Sequence, residues 1–180
     1  LAEIIPACSR KPLFGYKPIL YSTILAGFLS FIVWAHHQFV AGIDPPHVEA
    51  GHVVASGVTP TGLRVDLEGY DADRTIATPS PYEEWPDGDK VMPPHNGRLL
   101  VVVTDAEGVS AVAGALSWHL EMYGPTQGSF AWNIGIGLAG TCRGHGVGTV
   151  AQRLLAEWLL ASSPLDRIEA STDVENIPEQ

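Results

Sequence analysis

Arg143-Gly144-His145-Gly146-Val147-Gly148-Thr149 sets glycine at every second position, directly before a run with helical periodicity. Glycine spacing of this kind lets backbone N–H groups turn toward one point. The first turn of the helix that follows adds unpaired donors and a partial positive charge. Together these make an anion-binding device suited to a phosphate. A triphosphate loop needs Gly-Lys-Ser or Gly-Lys-Thr, whereas Gly148-Thr149 follows Val147 and brings no lysine. The dinucleotide pattern G-x-G-x-x-G is met in letters by Gly135, Gly137 and Gly140. The helix nevertheless starts only about Gly146, and no strand-end acid stands in place for a ribose. A glycine turn with no ligand is the plain alternative. Upstream, in SWHLEMYG, His119, Glu121 and Tyr123 alternate onto one strand face. A carboxylate there is a candidate general base acting through water, and its plain alternative is a solvated sheet-face acid.

Metal chemistry has less to work with. Cys8 and Cys142 lie far apart and form no C-x-x-C pair. His47 and His52 flank Glu49, but their spacing of five puts them on different faces of a helix, unlike a zinc-protease pair, so they read as solvated loop residues. His36 and His37 are adjacent; imidazole suits copper, but two ligands do not make a site.

The elements that must position the loop are legible. RLLVVV (98–103) and VSAVAGALSW (109–118) are β-rich runs joined by TDAEG, whose Asp105 and Gly108 supply turn chemistry, so they predict an antiparallel hairpin. SFAWNIGIGL (129–138) predicts another strand. Val147, Val150, Ala151, Leu154, Leu155, Trp158 and Leu159 then repeat at helical spacing until Pro164 stops them. RIEAST (167–172) is the strand that completes a βαβ unit. Trp118 and Trp132 read as core or sheet-edge aromatics. LRVDLEGY (63–70) alternates as a possible first strand, and the Pro-rich stretch from Asp71 to Asn96 breaks helices and ladders alike.

Length and charge bound the whole. The 180 residues allow one ordinary domain plus a segment, and exclude two catalytic domains. Twenty acids against ten bases, a net charge of −10, argue against a nucleic-acid partner. With 46% apolar and 17% charged residues, the chain has enough to bury a core. Residues 1–50 hold three acids and three bases, so the net charge belongs to 51–180. From Pro18 to Ile43 there is no charged side chain, and this run is long enough to cross a hydrocarbon layer of about 30 Å as a helix. A signal peptide cleaved after Val33-Trp34-Ala35 and a buried core helix are the alternatives. Arg10, Lys11 and Lys17 precede the run, so an inserted span would leave residues 46–180 outside the cytoplasm.

Two resemblances follow from these residues. SRKPLFGY (9–16) and LSFIVWAHHQFVAGID (29–44) resemble cytochrome c oxidase subunit I, in which the adjacent histidine pair ligates the copper of the binuclear centre; the positions here are His36 and His37. That family draws its further copper ligand and its haem ligands from other helices, which have no counterpart beside one span, so no oxygen reduction by this chain alone is expected. The signature R-x-x-G-x-G, met by Arg143 through Gly148 at a junction of strand and helix, resembles the GNAT superfamily of N-acetyltransferases. AWNIGIGL before it and RIEASTDVENIPEQ after it look like its ribosomal-protein and amino-terminal acetyltransferase branch.

That second resemblance implies an α/β fold: a mixed GNAT-like sheet with a βαβ acetyl-CoA unit, incomplete beyond Gln180, preceded by one hydrophobic helix. It implies acetyl-CoA as cofactor and a primary amine, on a protein N-terminus or a small molecule, as acceptor. The pyrophosphate would lie on the N–H groups of Arg143, Gly144, His145, Gly146, Val147, Gly148 and Thr149. Pantetheine would run along Ile136, Gly137 and Leu138, Asn176 would meet the cofactor arm, and Glu121 is the candidate base. The chain thus reads as a composite: an oxidase-like segment over 1–45 with possible membrane association through 18–43, a linker with a possible first strand over 46–97, and an acetyl-CoA-binding core over 98–180. The core implies a cytoplasmic location and an inserted span a membrane one. The rival function is a membrane-embedded oxidase segment with no catalysis of its own.

Overall fold

The computed structural model describes residues 27–31, 43, 45, 47–76, 95–124, 127–172 and 174–176. The chain divides into two units, Leu1–Ala41 and Gly42–Gln180. In the first, residues 27–31 form an exposed helical turn. The rest of the expected span, His36 and His37, and most of the Pro-rich stretch lie outside the described residues. Among the described residues no helix is long and apolar enough to cross a membrane.

The second unit carries one sheet of six strands in chain order: β1 (Val53–Val58), β2 (Arg64–Gly69), β3 (Asn96–Thr104), β4 (Ser110–Met122), β5 (Phe130–Leu138) and β6 (Ile168–Ala170). Neighbours from β1 to β5 are antiparallel, and β5 pairs with β6 in parallel. Parallel pairing requires a crossover, and α1 (Val147–Ser162) supplies it. The fold is therefore mixed α/β with the expected βαβ unit. β1 lies in the stretch read as linker, where the small residues Ala55, Ser56 and Gly57 interrupt its alternation.

The β3–β4 turn closes as its residues predict. The Gly108 N–H donates to the Asp105 carbonyl at 3.2 Å, and the Asp105 side chain accepts from the Val109 N–H at 2.8 Å. α1 covers one face of the sheet with Val147, Val150, Ala151, Leu154, Leu155 and Leu159, all buried against Val65, Leu67, Leu99, Val101, Leu116 and Ile134. Each fully buried aliphatic side chain of this kind contributes about 1.5–3 kcal/mol. Trp132 is wholly buried, and its Nε1–H donates to Ser163 Oγ at 2.8 Å, tying β5 to the end of α1. Trp118 meets Trp158 edge-on with centroids 5.3 Å apart. Both tryptophans are therefore core residues.

Cross-strand register assigns the other face. Arg98, Ser117 and Gly135 stand opposite one another, as do Asn96, His119 and Asn133, with Glu169 of β6 next in that row. Glu121 follows two residues on along β4, opposite Ala131. One irregularity matters for the site. Val101 pairs with Gly114 and Val102 with Val112, so Ala113 is an extra residue that bulges β4 opposite the end of β5.

Candidate functional site

The glycine loop sits where β5 gives way to α1. After Leu138 a 3-10 turn over Gly140–Cys142 brings in Arg143, whose guanidinium Nε donates back to the Leu138 carbonyl at 3.0 Å. Gly144 and Gly146 adopt φ of +77° and +78°, a left-handed conformation that costs a side-chain-bearing residue roughly 1–2 kcal/mol. Gly146 is the N-cap of α1, and its carbonyl accepts from the Val150 N–H at 3.1 Å. Among the described residues no backbone carbonyl accepts from the N–H groups of Val147, Gly148 or Thr149, as the geometry of a helix start requires. The Arg143 N–H is already turned to the Gly140 carbonyl at 3.4 Å, so among the described residues the donors without a backbone acceptor run from Gly144 onward.

β5 prepares a second feature. Its parallel pairing to β6 covers Trp132, Asn133 and Ile134 and stops at the Ile134–Ala170 pair. Gly135, Ile136, Gly137 and Leu138 remain paired to β4 on one side. Among the described residues no strand pairs with them on the other. Gly148 keeps α1 close to this edge: a Cβ there would lie 3.4 Å from Leu138 Cδ1 and 3.9 Å from Ile136 Cδ1.

The structure does not bring Glu121 to that edge. It stands opposite Ala131, five residues and roughly 16 Å along β5 from Ile136 at the usual strand rise. Its Oε2 instead lies 3.3 Å from Nε2 of His119, which faces Asn133, one residue before the pairing with β6 ends. Asn176 donates from Nδ2 to Thr172 Oγ1 at 2.8 Å, and no described contact joins it to the glycine loop.

Tyr123 lies beyond the end of β4, and its hydroxyl donates to Glu169 Oε2, while Arg167 stands over the ring at 5.2 Å and pairs with the same carboxylate. The hydrogen bond to Glu169 holds the phenol pKa above the ordinary tyrosine value, with desolvation and the nearby charges of Glu169 and Glu121 adding to the rise and Arg167 opposing it. The folded chain therefore keeps this proton more tightly than the unfolded chain. Whatever stability results is fully present below the unfolded tyrosine pKa and is lost as pH rises through the raised one. Ultraviolet titration of phenolate absorbance, with Tyr123→Phe to isolate the signal, should show Tyr123 ionising at higher pH than a free tyrosine, and Glu169→Gln should remove most of the difference. A Tyr123 transition that Glu169→Gln leaves in place would refute this cause.

One contributor to the loop was not legible. In the β1–β2 turn Thr59 is buried, and its Oγ1 accepts from the Leu63 N–H at 3.1 Å and meets Thr61 Oγ1 at 2.8 Å. The Thr61 hydroxyl donates to the His145 carbonyl at 3.4 Å, and a Cβ on Gly146 would lie 3.1 Å from Pro60 Cδ. Thr59-Pro60-Thr61-Gly62 announces a turn, but nothing local tells that it braces a loop 84 residues away.

With this geometry in place, comparison with known proteins divides along the chain. The sequence model of cytochrome c and quinol oxidase polypeptide I matches residues 1–151. The chain belongs to that family. Relatives within it include cytochrome c oxidase subunit 1 of Alkalihalophilus pseudofirmus, 41% identical over 66 residues, which are 36% of this chain and 11% of that protein. The Halobacterium salinarum polypeptide is 57% identical over 42 residues, 23% of this chain and 7% of its own. This family member thus spans about a tenth of the length of the curated relatives it matches. Among the described residues no three His, Cys, Asp or Glu side chains converge to hold a metal ion.

Solved structures similar to this chain include a glucosamine-6-phosphate N-acetyltransferase from Arabidopsis thaliana, 16% identical with a TM-score of 0.35, covering 44% of this chain and 53% of that one. A cAMP-binding acyltransferase from Mycobacterium smegmatis, the E234A mutant, is 13% identical with a TM-score of 0.38, covering 82% and 45%. At such scores these likenesses carry no argument about function.

Proposed function

We propose that the Gly42–Gln180 unit binds acetyl-CoA and transfers its acetyl group to a primary amine. The observation that carries this reading is the β5 edge, which no strand pairs from Gly135 to Leu138 among the described residues, leading directly into a glycine loop whose N–H groups from Gly144 onward have no backbone acceptor among the described residues. An amide-bearing arm can add to such an edge as a short strand does, by main-chain hydrogen bonds. A pyrophosphate at its far end would then meet Gly144 through Thr149, where donors and the helix dipole favour negative charge. Ile136, Gly137 and Leu138 would hold the arm. Bound acetyl-CoA supplies the thioester whose acetyl carbon the amine attacks as the C–S bond breaks.

The chain's own work is to orient the amine and take its proton. His119 and Glu121 do this as a pair in our reading: the carboxylate accepts from Nε2–H and leaves Nδ1 as the open lone pair, one residue from where β5 and β6 part. Calorimetric titration of acetyl-CoA into the full chain tests the proposal, with Arg143→Glu as the variant that breaks the brace on Leu138 and puts negative charge at the loop. Saturable binding weakened at least about tenfold, or about 1.4 kcal/mol, is expected. A folded chain that takes up no acetyl-CoA, or an Arg143→Glu chain that binds it unchanged, would refute the reading.

The family match favours a second reading, in which residues 18–43 anchor the chain as a segment of an oxidase polypeptide without catalysis of its own. It is tested by extraction: a chain that leaves native membranes only with detergent and binds no acetyl-CoA would establish it over the first.

A further inference from the structure

Two cavities share Tyr70 and Arg98: the inner borders the helix-free face of the sheet, and the outer lies around the start of β3, where Trp118 reaches it from the helix-covered face. The inner, about 300 Å³, has Gly135 and Gly137 of the open β5 edge in its lining, with Ser117 beside them. The outer, about 650 Å³, extends from Arg98 past Asn96 and His95 to His47 and Trp118. Volumes of roughly 300–1,000 Å³ are those of small-molecule sites. In a chain with twice as many acids as bases, the described residues that line the two cavities include no Asp or Glu.

The acids nearest in the sheet are already engaged. Asp66 pairs with Arg64, Glu68 with Arg74 at 2.6 Å, and Glu121 with His119. Arg98 has no carboxylate among the described residues; its guanidinium lies 5.7 Å from the centroid of the Tyr70 ring, a cation–π distance that uses none of its N–H donors. The outer cavity also includes Trp118, whose buried Nε1–H has no acceptor among the described residues. A buried donor without a partner costs stability unless a ligand or solvent satisfies it.

We propose that these cavities form the acceptor site, and that the acceptor is an amine which also carries an anionic group, a carboxylate or a phosphate, held by Arg98. The inner cavity then takes the amine beside the β5 edge, and the outer takes the anion. This rests on the acetyl-transfer reading for the amine but not for the anion. It opposes the expectation from net charge alone, under which an acidic chain attracts polyamines.

The test uses the full chain with acetyl-CoA and four acceptors: phosphoethanolamine, β-alanine, ethanolamine and 1,3-diaminopropane. Phosphoethanolamine or β-alanine is expected to exceed the other two at least about tenfold in kcat/KM, and whichever leads identifies the anion. Arg98→Gln should erase that preference by raising KM for the anionic acceptor about tenfold while acetyl-CoA affinity stays unchanged, the loss expected for one charge-assisted anion contact. Preference for the diamine, or an Arg98→Gln chain that keeps its preference, would overturn the proposal. Should the chain bind no acetyl-CoA, the acetyl-transfer reading falls alone. Calorimetry with phosphoethanolamine and β-alanine then decides the anion site: binding lost in Arg98→Gln supports it, and no binding to the unaltered chain overturns it.

Discussion

Gly114→Ala is expected to destabilise the Gly42–Gln180 unit by roughly 3 kcal/mol, at the upper end of what a single added methyl costs in a packed interior. The reason is the bulge in β4. Ala113 is the extra residue there, and its carbonyl accepts from the Ala139 N–H at 2.9 Å. This draws β4 and β5 so close that a Cβ on Gly114 would stand 1.9 Å from the Gly137 carbonyl oxygen and 2.9 Å from Leu138 Cα. These are backbone atoms, so no side-chain rotation relieves the clash, and the strands must part. Gly128→Ala is the control, since a Cβ there meets nothing within 4 Å, and it should change stability by no more than about 0.5 kcal/mol. Urea unfolding of both variants gives the comparison, and equal midpoints would refute the argument. Because Gly137 belongs to the open edge of β5, the same substitution should also abolish acetyl-CoA binding under conditions where the chain remains folded.

Most of this framework could be read from residue order because its signals are local. The β3–β4 hairpin follows from a run of branched residues, the Asp105–Gly108 turn and a second branched run. α1 follows from an apolar stripe that the structure buries at Val147, Val150, Ala151, Leu154, Leu155 and Leu159. The parallel order of β5 and β6 follows from a helix-length crossover between them. The illegible parts are those fixed by distant contacts. β1 has a weak pattern and gains its place by pairing with β2 and packing beneath α1, where a Cβ on Gly57 would lie 2.9 Å from Val150 Cγ1. The β1–β2 turn joins the glycine loop only in three dimensions.

Alternation along β4 correctly put His119 and Glu121 on one face. It could not reveal that β6 stops at Ala170, which shifts chemical interest from Glu121 toward the row containing His119 and Asn133. Arg98 carries no sequence signal for the same reason: a basic residue near the start of a strand has no distinguishing pattern apart from the cavities it borders.

On the proposed acetyl-transfer reading, replacing His119 by alanine should reduce acetyl transfer about 10²- to 10⁴-fold, the range contributed by a well-placed general base. The alternative is that Glu121 acts alone through water, as its position in SWHLEMYG first implies. The 3.3 Å separation of His119 Nε2 from Glu121 Oε2 is short enough for the two to act as a unit. If the residues act as a unit, the carboxylate orients the ring and offsets the positive charge that develops as the imidazole takes the proton. Glu121→Gln should then lower kcat with little change in KM, and the His119→Ala, Glu121→Gln double variant should be no slower than His119→Ala, because both substitutions remove one function. If Glu121 acts alone, His119→Asn should remain active and the effects of separate substitutions should multiply. Chemical rescue adds a readout that a purely structural role would not move: added imidazole should restore part of the kcat lost in His119→Ala, whereas a loosened fold would not respond to it. Multiplicative effects with no rescue of His119→Ala by imidazole would remove the histidine from the mechanism and return the role to Glu121.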